Sequence, residues 1–242
     1  MHNRRTFLNI SAGLLSGGAL HRSASAASLD DNAINATRIA LIIGNSDYRE
    51  SPLINPVNDA NSIAQTLTEL GFQCQLVTNA KLEEMVTAVK VHAESLAKLN
   101  AVGLFYYAGH GAQLAWRNYL VPVNASISSL EDLPRQTMEL NAVLASIKKA
   151  NNPMNVIILD ACRDNPFGTR VPLEQKGLSQ FDAPTGSLLS YATAPGNTAS
   201  DGAGVNGLFT EILLKEIRVP DAKLEDVFKR VRLQVRAKSN GQ

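Results

Sequence analysis

The chain has 242 residues, of which 45% are hydrophobic, which is enough for one sizeable core but not for two comfortable domains. Aromatic residues make up only 5% of the chain, the formal net charge is +1 and the basic residues are scattered, so we expect no nucleic-acid partner. Only two cysteines are present, which excludes a small scaffold held together by disulfides.

The first 26 residues have the features of an export signal. Arg4 and Arg5 precede a weakly apolar stretch over residues 10–20, and residues 24–26 (Ala-Ser-Ala) have the small-x-small pattern of a signal-peptidase site. The paired arginines are typical of a twin-arginine signal, so we expect a periplasmic or otherwise exported protein. The alternative is a membrane anchor, but polar residues interrupt a stretch too short to span a bilayer, and we expect no stable anchor after cleavage.

Residues 27–37 are small and polar and predict a linker, after which strand and helix patterns alternate. The predicted elements are a strand over 38–45, a helix over 59–70, a half-buried strand over 72–76, a helix over 82–99, a strand over 102–108, a hairpin over 112–123, a helix over 139–150, strands over 156–160 and 186–192, and helices over 207–217 and 224–235. This alternation predicts one α/β domain over residues 38–242, with a mostly parallel central sheet of about six strands and helices on both faces.

Two of the apolar strands end in motifs that contain a reactive side chain. Residues 106–111 are Tyr-Tyr-Ala-Gly-His-Gly, and residues 157–164 are Ile-Ile-Leu-Asp-Ala-Cys-Arg-Asp. Because parallel strands end at one edge of a sheet, we expect His110 and Cys162 to meet there. An imidazole beside a thiol lowers the thiol pKa and favours nucleophilic catalysis. The backbone N–H groups of Gly111 and Cys162 are candidates for an oxyanion hole.

These motifs resemble those of the caspase-like cysteine peptidases, in particular the bacterial metacaspase-like proteins (orthocaspases). His110 and Cys162 are 52 residues apart, which is similar to the spacing of about 50 residues in caspases. The resemblance extends from about Arg38 to the end of the chain and includes residues 44–48, 58–60 and 190–196. It implies a caspase-like fold and a cysteine endopeptidase that works through an acyl-enzyme, with His110 as acid and base, Cys162 as nucleophile and no third catalytic residue.

The resemblance also points to the substrate. Caspases that cut after aspartate have Gln two residues before the cysteine, whereas this chain has Asp160, which would repel an acidic P1 side chain and attract a basic one. Asp59 matches a second acidic position of metacaspases, although it could instead be a helix N-cap or first-turn acid. We therefore predict a protein or peptide substrate with Arg or Lys at P1. Ser190 and Tyr191 resemble the strand that pairs with an extended substrate through its backbone.

The chain departs from the family pattern in three places. Ala108 stands where relatives often have serine, Pro56 stands where many metacaspases have cysteine, and the sequence stops at Gln242 where relatives usually continue. The last departure predicts truncation at the C-terminus. The long polar loop over residues 163–185 contains Arg163, Arg170 and Lys176, which are either self-cleavage points or ordinary surface charges.

The remaining reactive or aromatic residues have structural interpretations. Cys74 lies on the apolar side of an alternating strand and is expected in the core. His92 is expected at the surface or boundary of an amphipathic helix, while Tyr106 and Tyr107 are expected to be core or wall residues.

We expect a monomer without a cofactor. Some metacaspases need calcium, and Glu131, Asp132 or Asp182 could supply oxygen ligands, but no loop has a calcium-binding spacing, so no metal site is predicted. Two other functions stay open, namely a non-catalytic caspase-like binding or regulatory module and another hydrolase or transferase built on a thiol–histidine pair. The intact His110 and Cys162 argue against the binding module.

Overall fold

The computed structural model describes residues 36–162, 165–173, 178–179, 183–192 and 204–239. The export signal predicted over residues 1–26 lies outside the described residues, as does most of the linker predicted over residues 27–37. Within the described part of the chain, no helix combines the length and the apolar character needed to cross a membrane.

Strands and helices alternate along the described residues, as the sequence predicts. In chain order they are β1 (Arg38–Gly44), α1 (Pro56–Glu69), β2 (Gln73–Thr78), α2 (Leu82–Leu99), β3 (Val102–Leu114), β4 (Arg117–Leu120), α3 (Leu133–Gln136), β5 (Met138–Glu139), α4 (Leu140–Lys149), β6 (Asn155–Cys162), β7 (Ser187–Tyr191), α5 (Leu208–Glu216) and α6 (Leu224–Lys238). Helix α2 has the predicted bounds, and α1 begins three residues before its predicted start because Pro56 suits the first helical turn.

The sheet is mostly parallel, which confirms the predicted α/β fold. Five strands lie parallel in the order β2-β1-β3-β6-β7. Strand β3 is 13 residues long and extends past its parallel neighbours, so its last four residues pair with the antiparallel β4, which in turn pairs with β5. The described strands therefore number seven rather than about six.

Helices pack on both faces of this sheet. Because successive strand residues point to opposite faces, Ile42 and Tyr106 pack with α1, α5 and α6, whereas Leu41 and Phe105 pack with α2 and α4. A third apolar cluster, which includes Tyr48 and Phe167, lies beyond the end of the sheet. The carboxyl ends of β1, β3 and β6 open toward this third cluster.

Two expectations about burial are wrong or only partly correct. His92 is 4% exposed, because it continues the buried face of α2 formed by Met85, Val89 and Leu96, and this burial lowers its pKa to about 4. Cys74 is only partly buried, although it packs against the core. Leu76 is exposed, since β2 lies at the end of the strand order.

Candidate functional site

Strands β3 and β6 place His110 beside Cys162. The two residues are direct partners in the parallel register, and Cys162 is the last residue of β6. Neighbouring strands are about 4.8 Å apart, so the backbones of the two residues are separated by a single strand spacing. The register thus brings the predicted nucleophile and the predicted base to the same end of the sheet.

The imidazole of His110 is oriented by a backbone carbonyl of the loop after β1. Its Nε2 lies 2.7 Å from the oxygen of Ser51. Because a carbonyl oxygen only accepts hydrogen bonds, Nε2 must donate and therefore bears the hydrogen. In the neutral ring the lone pair is then on Nδ1, which is the nitrogen able to accept a proton. Ser51 has no side-chain role here, so the sequence contained no signal for it.

Two tyrosines hold the backbone of His110. The Tyr48 hydroxyl accepts a hydrogen bond from the His110 N–H at 3.0 Å, and the Tyr107 hydroxyl donates to the His110 carbonyl at 2.7 Å. The rings of Tyr48 and His110 are 4.4 Å apart and tilted by 49°. Tyr107 is a buried wall residue, as expected. The role of Tyr48 was missed, although it lies in one of the segments that resemble the family.

Neighbouring side chains leave no room for a Cβ at the two glycines beside His110. Gly109 has φ +152°, and a Cβ there would be 2.6 Å from the Tyr48 hydroxyl oxygen. A Cβ on Gly111 would be 2.9 Å from Leu178.

The Val121 N–H donates to the His110 carbonyl, which makes Gly111 and Leu120 a non-hydrogen-bonded pair. The N–H of Gly111 therefore does not donate to β4, which is compatible with its predicted place in the oxyanion hole.

Asp160, two residues before Cys162, lies next to two hydroxyl groups. The Thr210 hydroxyl donates to Asp160 Oδ2 at 2.8 Å, and the Tyr106 hydroxyl lies 3.2 Å from the same oxygen. Tyr106 is fully buried, and burial together with the negative charges of Asp160 and Asp59 raises its pKa well above the ordinary value. Tyr106 therefore remains a neutral donor at the wall of the site.

Asp59 is buried and contacts the beginning of α5. Its Oδ1 accepts hydrogen bonds from the Gly207 N–H at 3.0 Å and from Asn206 Nδ2 at 2.9 Å. Asp59 is a first-turn acid of α1, whose N-cap is Asn55, so one part of the structural alternative is confirmed. Its carboxylate also binds the N-terminal end of a different helix, and no sequence pattern indicated this contact across 148 positions.

The two acids predicted to bind P1 therefore meet at the same helix. Gly207 is the N-cap of α5, and Thr210 lies three residues further on. Asp59 therefore contacts the backbone of the N-cap, and Asp160 contacts a side chain of the first turn. Sequence reasoning missed Asn206, Gly207 and Thr210, because the contacts link segments far apart in the chain.

Ser190 and Tyr191 lie in β7. This strand pairs with β6 through Ser190–Ile158 and Tyr191–Leu159, and it is the last strand on that side among those described. All five residues of β7 are partly exposed. The strand thus has the geometry that pairing with an extended peptide requires, although such pairing stays a prediction.

A cavity of about 160 Å³ lies beside His110 and is also lined by Tyr48, Ser51, Val123 and Phe167. A larger cavity of about 460 Å³ lies between α2 and α4 and has none of the predicted site residues in its wall. Of these two cavities, the one beside His110 is therefore the one next to a predicted catalytic residue, although Asp59 and Asp160 do not line it.

The described residues contain no cluster of three or more His, Cys, Asp or Glu side chains suited to a metal ion. Asp132 instead accepts hydrogen bonds from Ser128 and Ser129, which lower its pKa to about 2. Asp182, the third calcium candidate after Glu131 and Asp132, lies outside the described residues. That the protein needs no metal stays a prediction.

Of the three basic residues considered for self-cleavage, Arg170 is exposed and forms an ion pair with Glu50. Arg163 and Lys176 lie outside the described residues. Self-cleavage stays a prediction.

Comparison with known proteins agrees with this geometry. The Caspase domain family matches residues 37–242 of the chain. The human mucosa-associated lymphoid tissue lymphoma translocation protein 1 is 28% identical over 199 residues, which cover 80% of this chain and 23% of the human protein. The mouse homolog is 28% identical over 192 residues, covering 77% and 22%. The chain thus spans less than a quarter of each of these relatives.

Proposed function

Because the chain belongs to the caspase domain family, we propose that it is a cysteine endopeptidase that cleaves peptide bonds after arginine or lysine. Cys162 would be the nucleophile and His110 the acid and base. The main observation in support is the direct pairing of these two residues where the parallel pairing of β3 with β6 ends. The export signal predicted over residues 1–26 would place the peptidase in the periplasm or otherwise outside the cytoplasm.

In the proposed mechanism, the Cys162 thiol gives its proton to His110 Nδ1 and the thiolate attacks the P1 carbonyl carbon. The N–H groups of Gly111 and Cys162 bind the developing oxyanion. The imidazolium then protonates the leaving amine as the C–N bond breaks, which leaves a thioester. Water, deprotonated by His110, releases the acyl group. The Ser51 carbonyl, 2.7 Å from Nε2, keeps the His110 ring in the tautomer that these reaction steps need.

The proposed preference for basic P1 side chains rests on Asp59 and Asp160. Both carboxylates accept hydrogen bonds from neutral donors, which fix where their oxygen atoms lie. A guanidinium can bind a carboxylate through two parallel hydrogen bonds, so we expect arginine to be favoured over lysine. An acidic P1 side chain would be repelled.

The test is hydrolysis of peptides that differ only at P1, namely Arg, Lys, Asp and Leu, by the full chain with and without calcium. We expect cleavage after Arg and Lys that disappears in Cys162→Ala and persists in Cys74→Ala, the matched control at the second cysteine. Cleavage after Asp would contradict the roles of Asp59 and Asp160. If the folded protein cleaves none of the peptides under either condition, the binding-module alternative is favoured.

A further inference from the structure

The first turn of α5 holds both acids through different groups. The Gly207 N–H and the Asn206 amide bind Asp59, and the Thr210 hydroxyl binds Asp160. Thr210 and Asp59 are 0% and 3% exposed, so water competes little for these hydrogen bonds. Hydrogen bonds to charged groups are stronger than neutral ones, and most so where water is excluded.

The direction of the hydrogen bonds at Asp160 follows from counting protons. A hydroxyl group has one hydrogen, and an ionised carboxylate only accepts. Thr210 donates to Asp160 Oδ2 at 2.8 Å, so in the contact of 2.8 Å between Tyr106 and Thr210 the tyrosine must be the donor. The chain therefore runs from Tyr106 to Thr210 to Asp160. Thr210 is the central member, because loss of its hydroxyl removes both hydrogen bonds of this chain and leaves Tyr106 with only the longer contact of 3.2 Å to Asp160.

We propose that the first turn of α5 positions the two carboxylates that bind the P1 side chain, and that Thr210 is a specificity-determining residue that sets the plane of the Asp160 carboxylate. This inference rests on the proposed function. Fixing Oδ2 fixes the direction of the second oxygen, Oδ1, which a guanidinium needs for a two-point contact. An ammonium group acts as a point charge and tolerates a rotated carboxylate. Thr210 thus favours arginine over lysine without itself touching the substrate.

The test compares Thr210→Val, which keeps the shape and removes the hydroxyl, with Thr210→Ser, which keeps the hydroxyl. Thr137→Val is the matched control, because Thr137 is also buried and its hydroxyl binds only the Leu133 carbonyl, away from both acids. For Thr210→Val we expect KM for arginine peptides to rise about tenfold with kcat little changed, since a hydrogen bond to a charged group is lost. We also expect the ratio of arginine to lysine cleavage to fall. Thr210→Ser and Thr137→Val should retain the wild-type ratio.

A wild-type ratio in Thr210→Val would overturn the inference, as would an equal loss for arginine and lysine peptides or a loss confined to kcat. If Thr210→Val does not fold, Gly207→Ala decides, because its Cβ would be 3.2 Å from Asp59 Oδ2 and would displace that carboxylate. Gly207 has φ −60°, which alanine adopts without strain. A folded Gly207→Ala with unchanged KM for arginine peptides would then refute the role of this turn.

A binding measurement separates this inference from the proposed function. Calorimetry with a peptide ending in arginine, on full chains bearing Cys162→Ala, detects the pocket without the reaction. If the wild type cleaves nothing but Thr210→Val weakens this binding and Thr210→Ser does not, the inference stands and proteolysis fails. If the Cys162→Ala chain binds no such peptide, the inference fails as well.

Discussion

At the scale of single residues, His110 is positioned by groups that have no acid–base role of their own. Ser51 contributes only a carbonyl to the ring. The hydroxyls of Tyr48 and Tyr107 bind the N–H and the carbonyl of His110, respectively. A histidine whose ring and backbone are both held loses little entropy when it reaches the reactive geometry. The motif around His110 predicted the base and contains Tyr107, whereas Tyr48 and Ser51 come from a loop whose path depends on the fold.

Tyr48→Phe tests this support, because it keeps the ring contact and removes only the hydroxyl that accepts the His110 N–H. A buried N–H left without an acceptor costs about 1–3 kcal/mol, and this cost falls on the backbone of His110, the proposed base. We expect kcat for an arginine peptide to fall about tenfold while KM changes little. Tyr119→Phe, at another buried tyrosine, is the control. A fall in both variants, or in KM alone, would argue against this role of Tyr48.

At the scale of elements, hydrophobic periodicity predicted the long helices and the parallel strands, because their burial repeats with a fixed spacing. It missed α3 and β5, which have four and two residues and are too short to show a period. The hairpin over residues 112–123 was predicted, and its turn residues Ala115 and Trp116 both have positive φ. Such turns usually contain Asn or Gly, so the sequence did not reveal the turn type. The meeting of His110 and Cys162 at one edge of the sheet was predicted because each follows a buried apolar strand, whereas their direct pairing in register is a result of the fold.

The loop after β6 has an attachment point that its composition did not predict. The Ser179 N–H donates to Asn118 Oδ1 at 2.7 Å, and Asn118 Nδ2 donates to the Ser179 carbonyl at 2.8 Å. The neighbouring Leu178 is buried against Gly111 and Ala161. The residues next to His110 and Cys162 are therefore packed by a segment that the β3–β4 hairpin holds through two reciprocal hydrogen bonds, and the Tyr191 hydroxyl of β7 also donates to the Ser179 carbonyl.

Asn118→Ala removes both of these hydrogen bonds and leaves the buried Ser179 N–H without its acceptor, while the Ser179 carbonyl keeps its contact with the Tyr191 hydroxyl. We expect the free energy of unfolding to fall by about 2–4 kcal/mol, and kcat to fall because Leu178 no longer supports Gly111. Urea denaturation and peptide hydrolysis measure the two effects. Asn61→Ala, which removes one exposed hydrogen bond within α1, should change stability by less than about 1 kcal/mol. Equal effects of the two substitutions would contradict this attachment.

At the scale of the whole molecule, the sheet separates two apolar layers, and the acids that we assign to P1 lie on the side of α1 and α5. The opposite layer, with α2 and α4, contains a titratable residue, His92, that belongs to neither of the two motifs. His92 lies on the buried face of α2, and its Nε2 has no hydrogen-bond partner among the described residues. The amphipathic pattern of α2 did not mark His92 as buried, because histidine is common at both kinds of position.

This burial makes the stability of the fold depend on pH. The pKa of His92 falls from 6.5 to about 4 on folding, so below about pH 6.5 the unfolded chain binds a proton that the folded chain excludes. The stability contributed by the neutral form is complete above pH 6.5 and is lost as the pH falls toward 4. Between pH 7.5 and pH 5 the loss amounts to about 2 kcal/mol. His92→Leu should remove this part of the pH dependence, as measured by urea denaturation across that range. His110, the only other histidine after residue 35, is present in both proteins, so a difference between their pH profiles is due to His92. Parallel pH profiles of wild type and variant would show that His92 does not titrate in this way.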